Sequence, residues 1–346
     1  MKKYFGIEIL RFFTSLSVLL YHYRHFFSPF NSTSTIDYKE AFIYLPFTSF
    51  LNVFYQYGIY GVHVFYAISG FVFAHVYLNK EKLVSSREFF LNRFARLYPL
   101  HFATLIIIAI LQYISLFQLE TFQIVEFNDL YHFILHLFFI SSWGFEQGHS
   151  FNAPIWSVSI EIAIYIIFFV TLFLLRKYKF IFVITLSIFL IILAKFFQIE
   201  SLFLECARLF FSGVVVYLIT FNFKKPKILI FISLVMIIFS FVGNYKTYVF
   251  CPFAVLFFSQ IDNLIKKESI QNLFSSLGDL TYSIYLIHVP LQIFIIMNFD
   301  YFNVSETIYA SKIFFVIFMI VLMIISYICF MKYEKPLNYK IRKKFK

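Results

Sequence analysis

Tyr4 to Phe27 reads YFGIEILRFFTSLSVLLYHYRHFF, an apolar stretch that is long enough to cross a bilayer and yet carries Arg11 and His22 within it. Eleven positions separate the two. On a helix that spacing returns to within roughly 20° of one face and places the groups about 16 Å apart along the axis. A charge near the centre of a spanning helix costs roughly 2.5–3.5 kcal/mol on insertion scales, so ionisable groups at such depth mark candidate functional sites. A plainer reading stands beside this one. Glu8, three residues before Arg11, is placed to pair with it at the interface, and His22 is flanked by Tyr21 and Tyr23, residues suited to the headgroup zone.

The rest of the chain fits a membrane setting. Of 346 residues 61% are hydrophobic, 14% are charged and 54 are phenylalanine, too little polar surface to cover a soluble globule. Lys2 and Lys3 before an apolar run resemble the start of a secretory signal. Glu8 and Arg11 interrupt that run, and no small-residue cleavage site follows, so the segment is expected to stay as a first helix. The net charge of +11 does not point to nucleic acid, because 22 of the 29 Lys and Arg fall in six clusters: 2–3, 80–96, 176–179, 224–227, 266–267 and 332–346. These read as cytoplasmic ends, and the acidic stretches 37–40, 120–129 and 300–306 as outer loops. Cys206, Cys251 and Cys329 are scattered and suggest neither a disulfide framework nor a metal site.

Alternating the clusters predicts an all-α polytopic protein with spans near 4–27, 49–78, 98–118, 153–175, 179–197, 202–221, 228–243, 247–265, 277–298 and 308–331. That gives about ten spans with both termini cytoplasmic, in a single domain over 1–346 ending in a basic cytoplasmic tail, 332–346. Residues 129–142 (DLYHFILHLFFISS) are too short to cross, and a crossing there would invert every later basic cluster, so they are read as a non-spanning outer segment. His132 and His136 share a face at a spacing that can bind metal, but no third ligand sits beside them in sequence, and no metal is assigned.

Four stretches carry chemistry. In the second span, Ser69 and Gly70 have the small side chains that allow close helix packing, and His63 and His75 are weaker candidates than His22. The inner loop ends NRFARLYP at 92–99. Arg93 and Arg96 project from one side of a helical turn and suit a phosphate clamp, and Pro99 is expected to open the next helix. Basic residues in that loop are also what orientation alone requires. Trp156, Ser157 and Glu161 open the fourth span, with Ser157, Glu161 and Tyr165 on one face; a carboxylate at that depth needs a partner or a proton. Glu205 and Arg208, three apart, are placed to form a buried pair and are read as structural or as lining for a cavity. In the ninth span Thr281, Tyr285 and His288 share a face, and Pro290 withholds the backbone donor that the Leu286 carbonyl would otherwise meet, which implies a protein-lined or wet cavity there.

Sorted by depth, His22, Glu161 and His288 lie in the outer half and Arg93, Arg96 and Arg11 at the inner edge. This suits an anionic ligand entering from the cytoplasm and a histidine base that a carboxylate supports. No nucleophile elbow, Walker loop or dinucleotide fingerprint is present.

Arg11 with His22, GVHVFYAISGF at 61–71, NRFARLYP at 92–99, WSVSIEIAIY at 156–165, LGDLTYSIYLIH at 277–288 and YEKP at 333–336 together resemble the integral membrane acyltransferase family 3, whose members are similar to bacterial O-acetyltransferases of surface polysaccharides. The resemblance implies a ten-helix fold in the bacterial inner membrane. It also implies an acyl-coenzyme A donor, commonly acetyl, and transfer to a hydroxyl of a carbohydrate or lipid-linked sugar, with no permanently bound cofactor. Carried over by position, His22 is the base, Arg11 its helix partner and Glu161 the essential carboxylate. Arg93 and Arg96, with Tyr98, hold the donor's phosphates, and Ser69, Trp156, Ser157, Tyr285 and His288 are substrate-binding candidates. At His63 an acidic residue is frequent in the family, and this chain departs from it. The alternative from another class is a transporter or flippase of glycolipid intermediates, in which membrane His and Glu relay protons. A catalytically dead assembly component is the third.

Overall fold

The structure is a computed structural model that describes residues 3–27, 44–80, 82–196, 201–242, 246–262, 264 and 267–344. The acids at 37–40, Lys2 and Lys266 lie outside the described residues. Those that are described form helices, turns and loops with no strand. In chain order the helices are α1 (Phe5–His22), α2 (Thr48–Tyr57), α3 (Gly61–Tyr77), α4 (Ser86–Leu119), α5 (Leu130–Leu137), α6 (Ile155–Tyr178), α7 (Phe180–Phe196), α8 (Leu202–Asn222), α9 (Pro226–Ser240), α10 (Lys246–Ile261), α11 (Glu268–Tyr301), α12 (Lys312–Cys329) and α13 (Lys335–Lys344). A 3-10 turn, Tyr23–Phe26, prolongs α1, and a π turn, Phe330–Glu334, joins α12 to α13.

Among the described residues seven helical stretches are long and apolar enough to span a membrane: Phe5–Phe26, Thr48–Tyr77, Ser86–Leu119, Ile155–Tyr178, Leu202–Asn222, Glu268–Tyr301 and Lys312–Lys344. Phe180–Phe196, Pro226–Ser240 and Thr247–Ile261 are apolar but shorter. All ten occur where hydropathy placed spans. In hydrocarbon every backbone N–H and C=O must be satisfied within the segment, so an apolar run of this length has the helix as its one open-ended solution. Helix α5 has eight residues, about 12 Å of rise, well short of a bilayer core of about 30 Å. Its N-terminus is fixed by Asp129, whose Oδ1 accepts from the His132 N–H at 2.8 Å.

One boundary differs from the sequence reading. Pro99 does not open a helix. It lies inside α4, which begins thirteen residues earlier at Ser86. Ser85 caps that start, its hydroxyl accepting from the Glu88 N–H at 3.2 Å, in a Ser-x-x-Glu pattern that polar composition had disguised as loop. Arg93 and Arg96 are therefore on a continuous helix. The segment taken as a basic tail is helical through Lys344, and within it Glu334 is 2% exposed.

By its internal contacts the chain divides into two compact units. One comprises Met1–Thr14, Tyr60–Phe89 and Ile160–Asp279; the other comprises Ser15–Ile59, Phe90–Ser159 and Leu280–Lys346.

The first unit is built on α3 crossing α8. A Cβ on Gly70 would fall on the Phe210 carbonyl, and one on Gly213 would fall on the Ala67 carbonyl. Lipid is as apolar as a protein core, so close van der Waals approach through small residues holds such helices together rather than the removal of water. Phe73, Tyr165, Phe168 and Phe210 interlock around the crossing, with Phe73 and Tyr165 stacked at 4.3 Å. Gly213→Val is expected to force the two backbones apart at a cost of about 1–3 kcal/mol or more. The measurement is thermal unfolding in detergent, and an unchanged midpoint would reject the close crossing.

In the second unit the aromatic side chains of Tyr23, Phe26, Tyr309, Phe315 and Phe318 form one cluster, and the Tyr23 hydroxyl donates to the Tyr309 carbonyl at 2.9 Å. Gln112 clamps the turn after α4, donating to the Gln123 carbonyl at 2.7 Å and accepting from its N–H at 2.9 Å. Helix α11 is the most enclosed span, with 83% of its most apolar window buried against 28% for the α12 to α13 stretch. Thr281, Ser283, His288 and Gln292 in its middle are accordingly buried in protein.

Candidate active site

The last turn of α1 and the middle of α11 bring His22 and His288 together in the second unit. His22 Nδ1 lies 3.0 Å from His288 Nε2, with the rings 12° from parallel. Both are buried, at 7% and 1% exposure. His288 Nδ1 is 3.2 Å from the Ile284 carbonyl one turn back. A carbonyl can only accept, so neutral His288 carries its proton on Nδ1 and offers the Nε2 lone pair. His22 must then donate from Nδ1, which leaves the basic lone pair on its Nε2. One sequence of donors, His22 to His288 to Ile284, thus sets the tautomer of His22. Gln292 Nε2 donates to the His22 carbonyl at 2.9 Å, and His25 stacks on the His22 ring at 5.0 Å. The sequence reading missed both. Gln292 follows His288 by four and His25 follows His22 by three, spacings that face the same way on a helix.

The carbonyl that Pro290 leaves open has a partner. Asn152, wholly buried just before α6, donates from Nδ2 to Leu286 O at 3.1 Å and to Thr104 Oγ1 at 3.3 Å. A turn away, Tyr285 donates to the Pro154 carbonyl at 2.7 Å, and its oxygen then accepts from Ser157 at 2.8 Å. Ser157 and Tyr285 are thus brought together. Trp156 is half-buried at the start of α6.

Arg96 forms an ion pair with Glu334, whose other oxygen accepts from Ser283 at 2.6 Å. The guanidinium also lies 5.7 Å from the centre of the Tyr282 ring. Sequence reading placed Arg96 as a phosphate clamp and gave no role to the glutamate of YEKP; the tertiary fold makes them one group. Tyr98 stacks on Phe94 at 4.5 Å, and Arg93 lies one turn before Arg96 on the same helix.

His132 and His136, the pair at metal-ligand spacing, are engaged separately. His132 Nδ1 meets Asp129 at 2.9 Å, and Gln147 N–H donates to its Nε2 at 3.3 Å. His136 Nε2 meets Ser150 Oγ at 2.9 Å, and the His136 carbonyl accepts from His101 Nε2 at 2.8 Å. Burial, with the nearby His101 and His132, pushes His136 down to about 3, so it stays neutral at physiological pH. Burial also lowers His149, against the opposing pull of Glu146.

The remaining candidates lie in the first unit. Arg11 pairs with Glu8 at 3.1 Å, the interfacial pair that their spacing allowed. Ser69 is half-buried beside the Gly70 crossing, and Glu161 sits on α6 in the neighbourhood of the Cys206 thiol. Glu205 does not pair with Arg208. It reaches His63 Nε2 at 3.3 Å, across from α8 to α3. Arg208 turns instead to the Leu204 carbonyl and the Tyr248 hydroxyl.

Comparison with known proteins bears on what this arrangement does. The profile of a family described as an acyltransferase domain matches residues 4–331. A protein named Acyltransferase MdmB, from Streptomyces mycarofaciens, is 32% identical over 122 residues, which is 35% of this chain and 30% of that protein. The chain's match therefore spans under a third of that relative's length. No solved structure matches. With nearly all of its length covered by the family profile, the chain belongs to acyltransferase family 3, and among its described residues seven helices are long and apolar enough to cross a bilayer.

Proposed function

We propose that this enzyme moves an acyl group, acetyl in the simplest case, from acyl-coenzyme A to a hydroxyl of a carbohydrate such as a surface-polysaccharide unit, in the bacterial cell membrane. The observation that carries the reading is the donor sequence from His22 to Ile284, which leaves the Nε2 lone pair of a buried imidazole available as a base. In the step proposed, the acceptor hydroxyl attacks the thioester carbonyl as His22 Nε2 takes its proton. The C–O bond forms, the C–S bond breaks, and the imidazolium returns the proton to the departing thiolate. Ester and free coenzyme A are the products.

Arg93, Arg96 and Tyr98 are proposed to engage the phosphates and base of the donor from the cytoplasmic side, guanidinium being suited to bidentate phosphate contacts. Ser157, Tyr285 and Trp156 are proposed to face the acceptor. The roles of Glu161 as essential carboxylate, of Arg11 and of Ser69 rest on the resemblance. The test is release of free thiol from acetyl-coenzyme A by purified protein in the presence of glycan acceptors, with mass spectrometry of the product. His22→Ala is expected to bind donor within about threefold of wild type and to lose about 10²- to 10⁴-fold in transfer. Wild-type turnover in that variant would overturn the assignment.

A further inference from the structure

The first unit holds a second polar feature that the proposed chemistry does not use. Helices α7, α8 and α10 enclose a cavity of about 470 Å³ whose walls are almost wholly apolar. Among the described residues its charged ones are Lys195, in the last turn of α7, and Arg208, in the second turn of α8, and no acid lines it. The two serines in its wall are already committed, Ser187 to the Val183 carbonyl at 2.8 Å and Ser212 to the Leu209 carbonyl at 2.6 Å. Arg208 is held in place by neutral partners, the Leu204 carbonyl and the Tyr248 hydroxyl, with its guanidinium 4.3 Å from the centre of the Tyr248 ring. Among the described residues no carboxylate lies within 4 Å of either cation; Glu205, one turn before Arg208 and electrostatically coupled to it, is ion-paired with His63 and does not line the cavity. Ile188, Phe189 and Ile192 of α7, on either side of the cavity-lining Ile191, are exposed, so the cavity borders a surface that faces hydrocarbon.

We infer that this cavity takes a phosphate-bearing lipid, one hydrocarbon chain lying among Leu209, Val216 and Leu256 and the headgroup phosphate held between Arg208 and Lys195. The chemistry selects this ligand class over its neighbours. An apolar chamber of this size open to a bilayer fills with hydrocarbon chain, because water there would lack polar partners. Two cations with no acid between them match a phosphate better than a zwitterionic or neutral headgroup, and the planar guanidinium fork suits phosphate oxygens. The other end of α7 follows the basic cluster at 176–179, which places Arg208 and Lys195 at the outer end of these helices and the lipid in the outer leaflet.

The experiment uses the purified full-length protein in a neutral detergent and scores binding by native mass spectrometry with three probes: dioleoyl phosphatidate, dioleoyl phosphatidylcholine and inorganic phosphate. Phosphatidate is expected to bind at least about tenfold more tightly than phosphatidylcholine. The double variant Arg208→Gln with Lys195→Gln should weaken it about ten- to thirtyfold. Val215→Phe, which fills the chamber and leaves both cations, should weaken it as well. Equal binding of the two lipids, or a double variant indistinguishable from wild type, overturns the proposal. Full competition by inorganic phosphate overturns it too, since it would mark a site for free anions. To remove dependence on variants that misfold, wild-type protein is also labelled with a phosphatidate carrying a diazirine in one chain. Crosslinks are expected in 187–195, 208–219 and 248–256, and their absence from those segments refutes the site. Thiol release from acetyl-coenzyme A is no part of the readout, so loss of this proposal leaves the transferase reading intact.

Discussion

His288→Phe is expected to lower kcat by about 10³-fold or more while KM for acyl-coenzyme A stays within about threefold of wild type. The reason is protonic. In the proposed reaction His22 takes a proton on Nε2, which requires that Nδ1 already hold one, and His288 Nε2, 3.0 Å away, is the acceptor that keeps it there. Phenylalanine preserves a flat ring in a site that is 1% exposed, so packing changes little, but the acceptor is gone. The imidazole can then take the other tautomer or turn away. In a Ser-His-Asp enzyme, replacing the group that fixes the histidine tautomer costs about 10⁴-fold in kcat. His288→Gln supplies an amide oxygen at similar reach and is expected to recover at least about tenfold over His288→Phe. A purely structural role for His288 predicts another pattern, in which both variants lower thermal stability together and the glutamine gives no kinetic recovery.

Arg96→Met carries the second large effect, and it separates two readings of one residue. Removing the guanidinium takes the ion-pair partner from Glu334, which is 2% exposed and accepts from the Ser283 hydroxyl, and breaking a buried ion pair in this way costs about 3–5 kcal/mol. The single variant is therefore expected to unfold at lower temperature and to bind donor poorly, which by itself says nothing about phosphate. Adding Glu334→Leu removes the stranded charge. The double variant is expected to regain most of the lost stability, because apolar replacement of a buried pair is often neutral or better. If Arg96 contacts the donor's phosphates, KM for acyl-coenzyme A in the double variant stays raised by about tenfold or more. Recovery of KM together with stability would reduce Arg96 to a structural partner of Glu334.

Both predictions concern groups that the sequence displayed without explaining. Arg93-x-x-Arg96 and the glutamate of YEKP were each visible as motifs, yet nothing in their spacing tells that residues 238 positions apart form one ion pair. His288 was visible as a polar residue on a membrane face; its place beside His22 depends on a pairing across 266 positions. The open Leu286 carbonyl was deducible from Pro290, because a missing donor is a local fact. That Asn152 meets it was not deducible. Glu205 and Arg208 show how short spacing misleads. At i, i+3 they were placed to pair, but each found its partner on another helix, His63 for the acid and Tyr248 for the base.

The sequence by itself determined that the chain is helical, where along it the apolar spans lie, and that residues 129–142 depart from that pattern, but not how far the helices run past their apolar cores. The physical reason is that a bilayer removes water as a backbone partner, so hydrogen bonding closes within each segment and hydropathy along the chain suffices to find it. The tertiary structure decided which nitrogen of His22 is basic, that Arg96 shares its charge with Glu334, and that two cations meet over an apolar cavity. Those outcomes depend on side-chain directions across helices far apart in the chain, and proton placement in particular follows from whole hydrogen-bond sequences that end at a single backbone carbonyl.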